Sequence, residues 1–267
     1  MRFATSSLRA AAAALVIGAA SVASADVIVF NDFEGAAPAT NNYGFRAPNF
    51  SGSTDDNLNG FGATITPNIQ RATDAFPAGN ANAGTRVGET QFQFIDTANT
   101  RWLRHTTSGA TGVPNPVIDL TQPLNFDIYS TTPVRVSLLV RELATAPAGG
   151  IGSNGGGTGS IEHVGATAIR GTSGGATNAG PEGRLLTPNT WTTLTFDLPN
   201  EPVFAFTGNN DLTGQWGVLE ALSFTSEGDA GPITVYYDNF SQGVIPEPAT
   251  LGLLGLCGLG LLARRRA

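Results

Sequence analysis

Alternation of apolar and polar residues with a period of two is the feature that most limits how this chain can fold. Three segments show it: 123–132 (PLNFDIYSTT), 133–143 (PVRVSLLVREL) and 191–199 (WTTLTFDLP). In the first, Leu124, Phe126 and Ile128 share one phase, and the polar phase ends in Tyr129. Successive side chains of a strand point to opposite faces, so each segment is predicted to be a half-buried antiparallel strand.

Further strand signals accompany these three, and helical patterns are nearly absent between residues 26 and 243. The additional strands are predicted at 27–30, 91–97, 161–170, 219–225 and 233–240. Many short strands separated by Pro and Gly clusters predict an all-β sandwich or barrel. Two Gly- and Asn-rich stretches, 36–62 and 147–183, are predicted to be long loops within one domain, residues 26–243.

Residues 1–25 have the order of a secretory signal peptide. Arg2 and Arg9 supply positive charge, residues 10–20 are apolar, and Ala23-Ser24-Ala25 has the small-x-small pattern of a cleavage site. An ordinary first helix is the alternative, but it does not explain why these three features occur in this order. The mature protein is therefore expected to begin at Asp26, outside the cytoplasmic membrane.

The other end, residues 244–267, combines three features in sequence. Pro246-Glu247-Pro248 is followed by an uncharged Leu- and Gly-rich stretch at 249–263 and then by Arg264, Arg265 and Arg266. As a helix the stretch would cover about 22 Å, somewhat less than the ~30 Å hydrocarbon core. A short C-terminal transmembrane helix that needs local thinning of the bilayer is predicted, with the arginines on the cytoplasmic side.

This arrangement resembles the PEP-CTERM sorting signal. The resemblance implies recognition of the tail by a membrane transpeptidase-like enzyme, an exosortase, and removal of the tail. It also implies a Gram-negative bacterium that makes extracellular polysaccharide, with the protein transiently anchored in the inner membrane and then held at the cell surface or in the matrix. A simple membrane anchor is the alternative.

Composition limits the chemistry of the mature domain. The single cysteine, Cys257, lies in the tail, so a disulfide or a cysteine-based metal site or nucleophile is excluded from residues 26–243. All basic residues are arginines, and residues 26–245 hold nine of them against twenty acidic residues, a net charge of −11. Such a charge argues against nucleic acid as a partner and suits divalent cations.

A second resemblance lies within the domain. The stretches 31–35 (NDFEG), 191–199 and 219–240 are similar to jelly rolls of carbohydrate-binding modules and to galactose-binding-like β-sandwiches. That resemblance implies a jelly roll whose first and last strands lie side by side, often around structural calcium. Glu34 and Asp238 are the metal candidates, with Asp32 as a third; solvated acids at strand ends are the alternative.

The same resemblance makes extracellular polysaccharide the expected partner. Sugar binding uses exposed aromatic rings, and Tyr43, Trp102 and Trp216 are the candidates because polar or loop residues surround them. Core packing is the alternative for Trp102 and Trp216. Trp191 begins an alternating strand and is expected to be a core residue.

Catalytic patterns are weak. The chain lacks the Glu-x-Asp-x-x-Glu run of laminarinase-type jelly rolls. Its two histidines, His105 and His163, are expected to be surface or structurally bonded residues. The sequence favours a noncatalytic protein that binds or organises extracellular polysaccharide. The alternative is a secreted glycoside hydrolase or lyase acting on that polysaccharide.

Overall fold

The computed structural model describes residues 27–34, 44–48, 58, 69–80, 82–99, 101–107, 115–145, 148–166, 183–229 and 231–244. Within these ranges the chain forms a 3₁₀ helix at Leu198–Asn200 and thirteen strands. The strands are β1 (Ile28–Asn31), β2 (Ile69–Thr73), β3 (Val87–Phe92), β4 (Trp102–Thr106), β5 (Val117–Asp119), β6 (Leu124–Ser130), β7 (Val134–Leu143), β8 (Ile161–Val164), β9 (Arg184–Leu185), β10 (Thr192–Phe196), β11 (Val203–Ala205), β12 (Trp216–Ser226) and β13 (Ile233–Gln242).

Two antiparallel sheets contain all of these strands. Sheet 1 has the order β10-β6-β13-β3-β2, and β1 pairs with the end of β13. Sheet 2 has the order β11-β8-β7-β12-β4, with β5 on β12 and β9 on β7. The predicted all-β antiparallel sandwich is confirmed. The predicted signal peptide and tail helix lie outside the described residues.

The alternating segments form β6 and β7, which lie inside the sheets, and β10, which is the edge strand of sheet 1. The strand predicted at 91–97 is displaced, because the structure has it at Val87–Phe92. Gly88 and Glu89 are residues of low strand propensity, yet both are buried between β13 and β2. The edge strands β2 and β11 lacked a clear alternation and were not predicted.

The core lies between the inner faces of the two sheets. Phe126 stacks at 4.8 Å from Phe240 and at 5.9 Å from Phe196. Phe92 of sheet 1 lies 5.7 Å from Phe224 of sheet 2. Ring pairs of this kind add about 0.5–1.5 kcal/mol each beyond the area they bury, so the aromatic residues join the two sheets.

A polar chain crosses this core. The Tyr237 hydroxyl donates its proton to Gln70 Oε1. The hydroxyl oxygen of Tyr237 is then free to accept the Nε2 proton of His105, and these two atoms lie 3.0 Å apart. The His105 ring stacks on Phe45 at 4.7 Å. Burial lowers the pKa of His105 to about 3, so the imidazole is neutral and acts as a structural hydrogen-bond donor.

A bulge in β13 shapes the outer face of sheet 1. The pairing with β6 shifts between Asp238 and Ser241, and Asn239 takes a positive φ of 53°. Asparagine tolerates this left-handed conformation better than most residues. The extra residue lets Asp238 stay on the outer face while Phe240 enters the core.

Candidate functional site

A row of four side chains crosses the outer face of sheet 1. Tyr129 of β6 pairs with Tyr236 of β13, Tyr236 pairs with Glu89 of β3, and Glu89 pairs with Arg71 of β2. Directly paired residues of antiparallel strands point to the same face. Four strands that are distant in sequence therefore present two aromatic and two charged side chains side by side.

Aromatic rings gather at one end of this row. Phe76, Tyr129, Trp191 and Tyr236 form what we call the aromatic cluster: Trp191 lies 5.6 Å from Tyr129, 6.5 Å from Tyr236 and 6.5 Å from Phe76. Tyr129 is the buried floor at 9% exposure, whereas the other three rings are partly exposed. Trp191 Nε1 donates to the Pro77 carbonyl at 2.8 Å, which fixes the indole.

The opposite end of the row is a hydrogen-bonded charge network. Glu89 is 2% exposed and accepts from Arg71 Nε at 2.5 Å and from Gln91 Nε2 at 2.8 Å. The Glu89 carboxylate is the first cause of the raised pKa of Arg71. The Arg71 side chain remains 46% exposed although the buried Glu89 carboxylate holds its guanidinium. A charged group that a ligand can reach therefore lies in the same row as Tyr236.

Buried acids lie one row further along the same face. Asp127 accepts from Thr193 Oγ1, Asn82 Nδ2 and Asn239 Nδ2. Asp238, its paired residue, is fully buried; its Oδ1 accepts the Asn239 amide, but its Oδ2 has no hydrogen-bond partner. Burial first, and the neighbouring carboxylates next, raise the pKa of Asp238 to about 7.

Glu34 follows β1 and reaches the segment before β3. Its carboxylate accepts from the Thr85 amide at 2.6 Å, the Thr85 hydroxyl at 2.6 Å and the Arg86 amide at 2.7 Å. The Thr85 hydroxyl is the largest cause of the lowered pKa of Glu34. This carboxylate therefore joins the start of the domain to the chain between β2 and β3.

The three metal candidates lie near one another without forming a cage. Glu34 and Asp32 both contribute to the raised pKa of Asp238, and β1 pairs with β13 as the resemblance implied. Among the described residues, no group of three or more His, Cys, Asp or Glu side chains is arranged to hold a metal ion. Asp238 Oδ2 is a buried carboxylate oxygen without a hydrogen-bond partner, which would suit a cation, and calcium stays a prediction.

The structure does not bring Trp102 and Trp216, the two described sugar-binding candidates, together. Trp102 is 2% exposed on sheet 2, where it packs 5.9 Å from His163 and 6.3 Å from Phe206, which favours a packing role. Trp216 begins β12 of sheet 2 and is partly exposed. Tyr43 lies outside the described residues.

Sequence reasoning missed the aromatic cluster. Trp191, expected in the core, packs against Tyr129 on the outer face and is partly exposed. One signal was available: Tyr129 occupies the polar phase of an alternating strand, next to Asp127 and Asn125. An aromatic ring in the polar phase lies on the face away from the core, which is where a ligand can reach it.

Comparisons with known proteins identify the C-terminal segment. Residues 244–266 match the PEP-CTERM protein-sorting motif. The sorting motif marks an exported, surface-sorted protein and implies processing by an exosortase-type enzyme. Within the part of the chain that the structure describes, no helix is long and apolar enough to cross a membrane, and the predicted tail helix falls outside that part.

The domain itself is similar to solved structures of carbohydrate-binding modules. A family 11 module from Clostridium thermocellum, in complex with a β-1,3-1,4-mixed-linked tetrasaccharide, is 13% identical with a TM-score of 0.39, covering 83% of this chain and 98% of that one. The CBM22-1 xylan-binding domain from Paenibacillus barcinonensis Xyn10C is 12% identical with a TM-score of 0.31, covering 84% and 97%. No curated protein matches the sequence.

Proposed function

We propose that residues 27–244 form a noncatalytic saccharide-binding module of an exported protein that is held at the cell surface or in its polysaccharide matrix. The observation that carries this proposal is the partly exposed aromatic cluster beside Arg71 on the outer face of sheet 1. Aromatic faces pack on the apolar faces of pyranose rings, and neighbouring polar groups fix the hydroxyls.

The cluster offers both kinds of contact. Trp191 and Tyr236 supply exposed ring surface, and Tyr129 beneath them keeps both rings in place. Arg71 is oriented before any ligand arrives, because buried Glu89 holds its Nε. A site that is ordered in advance loses little side-chain entropy on binding. The ligand we propose is extracellular polysaccharide.

Binding of the full chain to polysaccharides tests the proposal. The panel is mixed-linkage β-glucan, xylan, alginate and the extracellular polysaccharide of the producing bacterium, measured by affinity electrophoresis and calorimetry. We expect Trp191→Ala and Tyr236→Ala each to weaken binding about tenfold or more, as loss of a central aromatic contact does. The matched control is Trp216→Ala, a partly exposed tryptophan on sheet 2, which should bind as the parent does.

Two results would overturn this function. One is absence of binding to every member of the panel by a protein with an intact melting transition. The other is release of reducing ends or unsaturated products from the bound polysaccharide, which would establish the hydrolase or lyase alternative. Loss of binding in Trp216→Ala alone would move the site to sheet 2.

We also propose that calcium is a structural ligand of the module. The support is Asp238, whose Oδ2 is buried without a hydrogen-bond partner and whose pKa the carboxylates of Asp127, Glu34 and Asp32 help to raise. The negative charges of Asp127, Asp32 and Glu34 disfavour a charged Asp238. The positive charge of a bound divalent ion would remove that repulsion. Asp238 would hold the ion through its side chain. The bound ion would then stabilise the junction of the two ends of the domain.

A further inference from the structure

The end of β13 is held rigidly where the sorting motif begins. The Gly243 amide donates to the Pro123 carbonyl at 3.1 Å, and the Gly243 carbonyl accepts from Asn125 Nδ2 at 2.9 Å. Gln242 is fixed as well, because its amide group donates to and accepts from the backbone of Asp119. The chain therefore leaves the domain from a fixed point.

Very little chain separates that point from the residues that the enzyme must read. The motif begins at Val244, and Pro246 comes only three residues after Gly243. Three residues span at most about 11 Å even when fully extended. An enzyme that grips Pro246-Glu247-Pro248 must therefore touch the end of the sandwich.

Exposed apolar side chains are concentrated at this end. The described residues have five exposed large hydrophobic side chains, and three of them lie here: Ile28 at 46%, Val29 at 52% and Val244 at 55%. Ile28 pairs with Gln242 and Val29 with Ser241, the last residues of β13. Ile28 and Val29 are consecutive in β1, so their side chains leave the strand on its two opposite faces and flank this end of the sandwich. We call Ile28, Val29 and Val244 the stem surface.

We propose that the stem surface is the docking site of the exosortase-type processing enzyme on its folded substrate. The proximity of the motif selects this occupant. A lipid surface is the weaker candidate, because a domain with a net charge of −11 is repelled by anionic headgroups. The inference concerns sorting alone and does not depend on saccharide binding.

Pulse–chase labelling of the full chain in the producing bacterium tests the inference, with tail removal followed by intact mass. We expect the double variant Ile28→Thr/Val29→Thr to slow tail removal about tenfold, equivalent to about 1.4 kcal/mol of lost contact. Threonine is β-branched and keeps the strand propensity of β1. The matched control is Ile95→Thr, which changes a side chain of 52% exposure beyond β3, at the far end of β13.

Three measurements make the outcome decisive. Intact mass must show that every variant begins at Asp26, since the changes lie close to the predicted signal-peptide site. Melting curves must match the parent; if the double variant melts early, the single variants Ile28→Thr and Val29→Thr replace it. Parental processing rates in folded variants would overturn the proposal, as would an equal slowing in Ile95→Thr.

Binding of the stem surface to lipid, the alternative, is tested with the same purified proteins in the absence of enzyme. Full chains are mixed with vesicles of phosphatidylethanolamine and phosphatidylglycerol, and co-sedimentation is measured. We expect the parent and the double variant to associate equally through the tail. Weaker association of the double variant would show that the stem surface contacts lipid, and this would overturn the assignment to the enzyme.

Discussion

Asp238 shows how strongly burial can change a single residue in this fold. Its pKa rises from the ordinary value of 3.8 to about 7, because the side chain is buried, and because Asp127, Glu34 and Asp32 lie near it. The folded protein thus binds a proton that the unfolded chain releases near pH 4. Stability from this group is complete below that pH and is lost as the pH rises to about 7.

We expect Asp238→Asn to become more stable relative to the parent as the pH rises, in the presence of chelator. The change between pH 5 and pH 8 corresponds to about 3 kcal/mol, or about 6–12 °C in a domain of this size. Thermal melting at pH 5 and pH 8 measures the difference. Burial of His105 and His163 has the opposite effect, because the stability of the folded protein falls as the pH drops below 6.5. The parent and Asp238→Asn share that change, so it cancels in the difference between them.

Calcium should reverse this behaviour if it binds at Asp238. A ligand at about 100 times its Kd stabilises the folded state by about 2.7 kcal/mol, so millimolar calcium should raise the melting temperature of the parent at pH 8 by several degrees. Chelator should remove the gain, and Asp238→Asn should not show it. Superimposable melting curves with chelator and with calcium would refute calcium binding and leave Asp32, Glu34 and Asp238 as ordinary acids.

At the scale of elements, close packing of β3 against the core makes a glycine necessary. A Cβ at Gly88 would lie 2.4 Å from Tyr237 Cε2 and 2.8 Å from Phe33 Cε1. Tyr237 cannot move aside easily, because its hydroxyl is bonded to Gln70 and His105. This position therefore explains why β3 contains a residue that is unfavourable in most strands.

Gly88→Ala is expected to lower stability by about 1–3 kcal/mol through overpacking, which corresponds to a fall of about 2–12 °C in Tm. The matched control is Gly157→Ala, where the nearest atom to the new methyl group is Asn115 Nδ2 at 3.9 Å. That control should stay within about 0.5 kcal/mol of the parent. Equal melting temperatures for both variants would show that the rings near Gly88 can rearrange.

Elements differed in how well the sequence predicted them, for a physical reason. β6, β7 and β10 show the alternation, because one face of each meets the core and the other carries mainly polar residues, with Leu139 of β7 as an exception. β2 reads IQRAT and gave no such signal, since Gln70 enters the core to meet Tyr237. A buried polar network therefore hides a strand from any pattern based on hydrophobicity.

At the scale of the whole molecule, a change at Glu247 should affect removal of the sorting tail without affecting the stability of the folded domain. We expect Glu247→Ala to block or slow tail removal while the melting temperature stays unchanged, because Glu247 lies beyond the last strand. Intact mass in the producing bacterium and thermal melting measure the two effects. Parental processing of this variant would mean that the Pro-Glu-Pro motif is not read.

The sequence by itself determined the all-β architecture, the core phase of β6, β7 and β10 and the sorting motif, since each is carried by residues close together in the chain. Only the tertiary structure decided which aromatic rings gather into a cluster. Tyr129, Trp191 and Tyr236 belong to segments that long-range strand pairing makes neighbours. The sequence also left the exposure of the tryptophans undecided, because Trp102 and Trp191 both lie at the start of a strand. In the folded protein, the residues that pack over each ring bury Trp102 and leave Trp191 partly exposed.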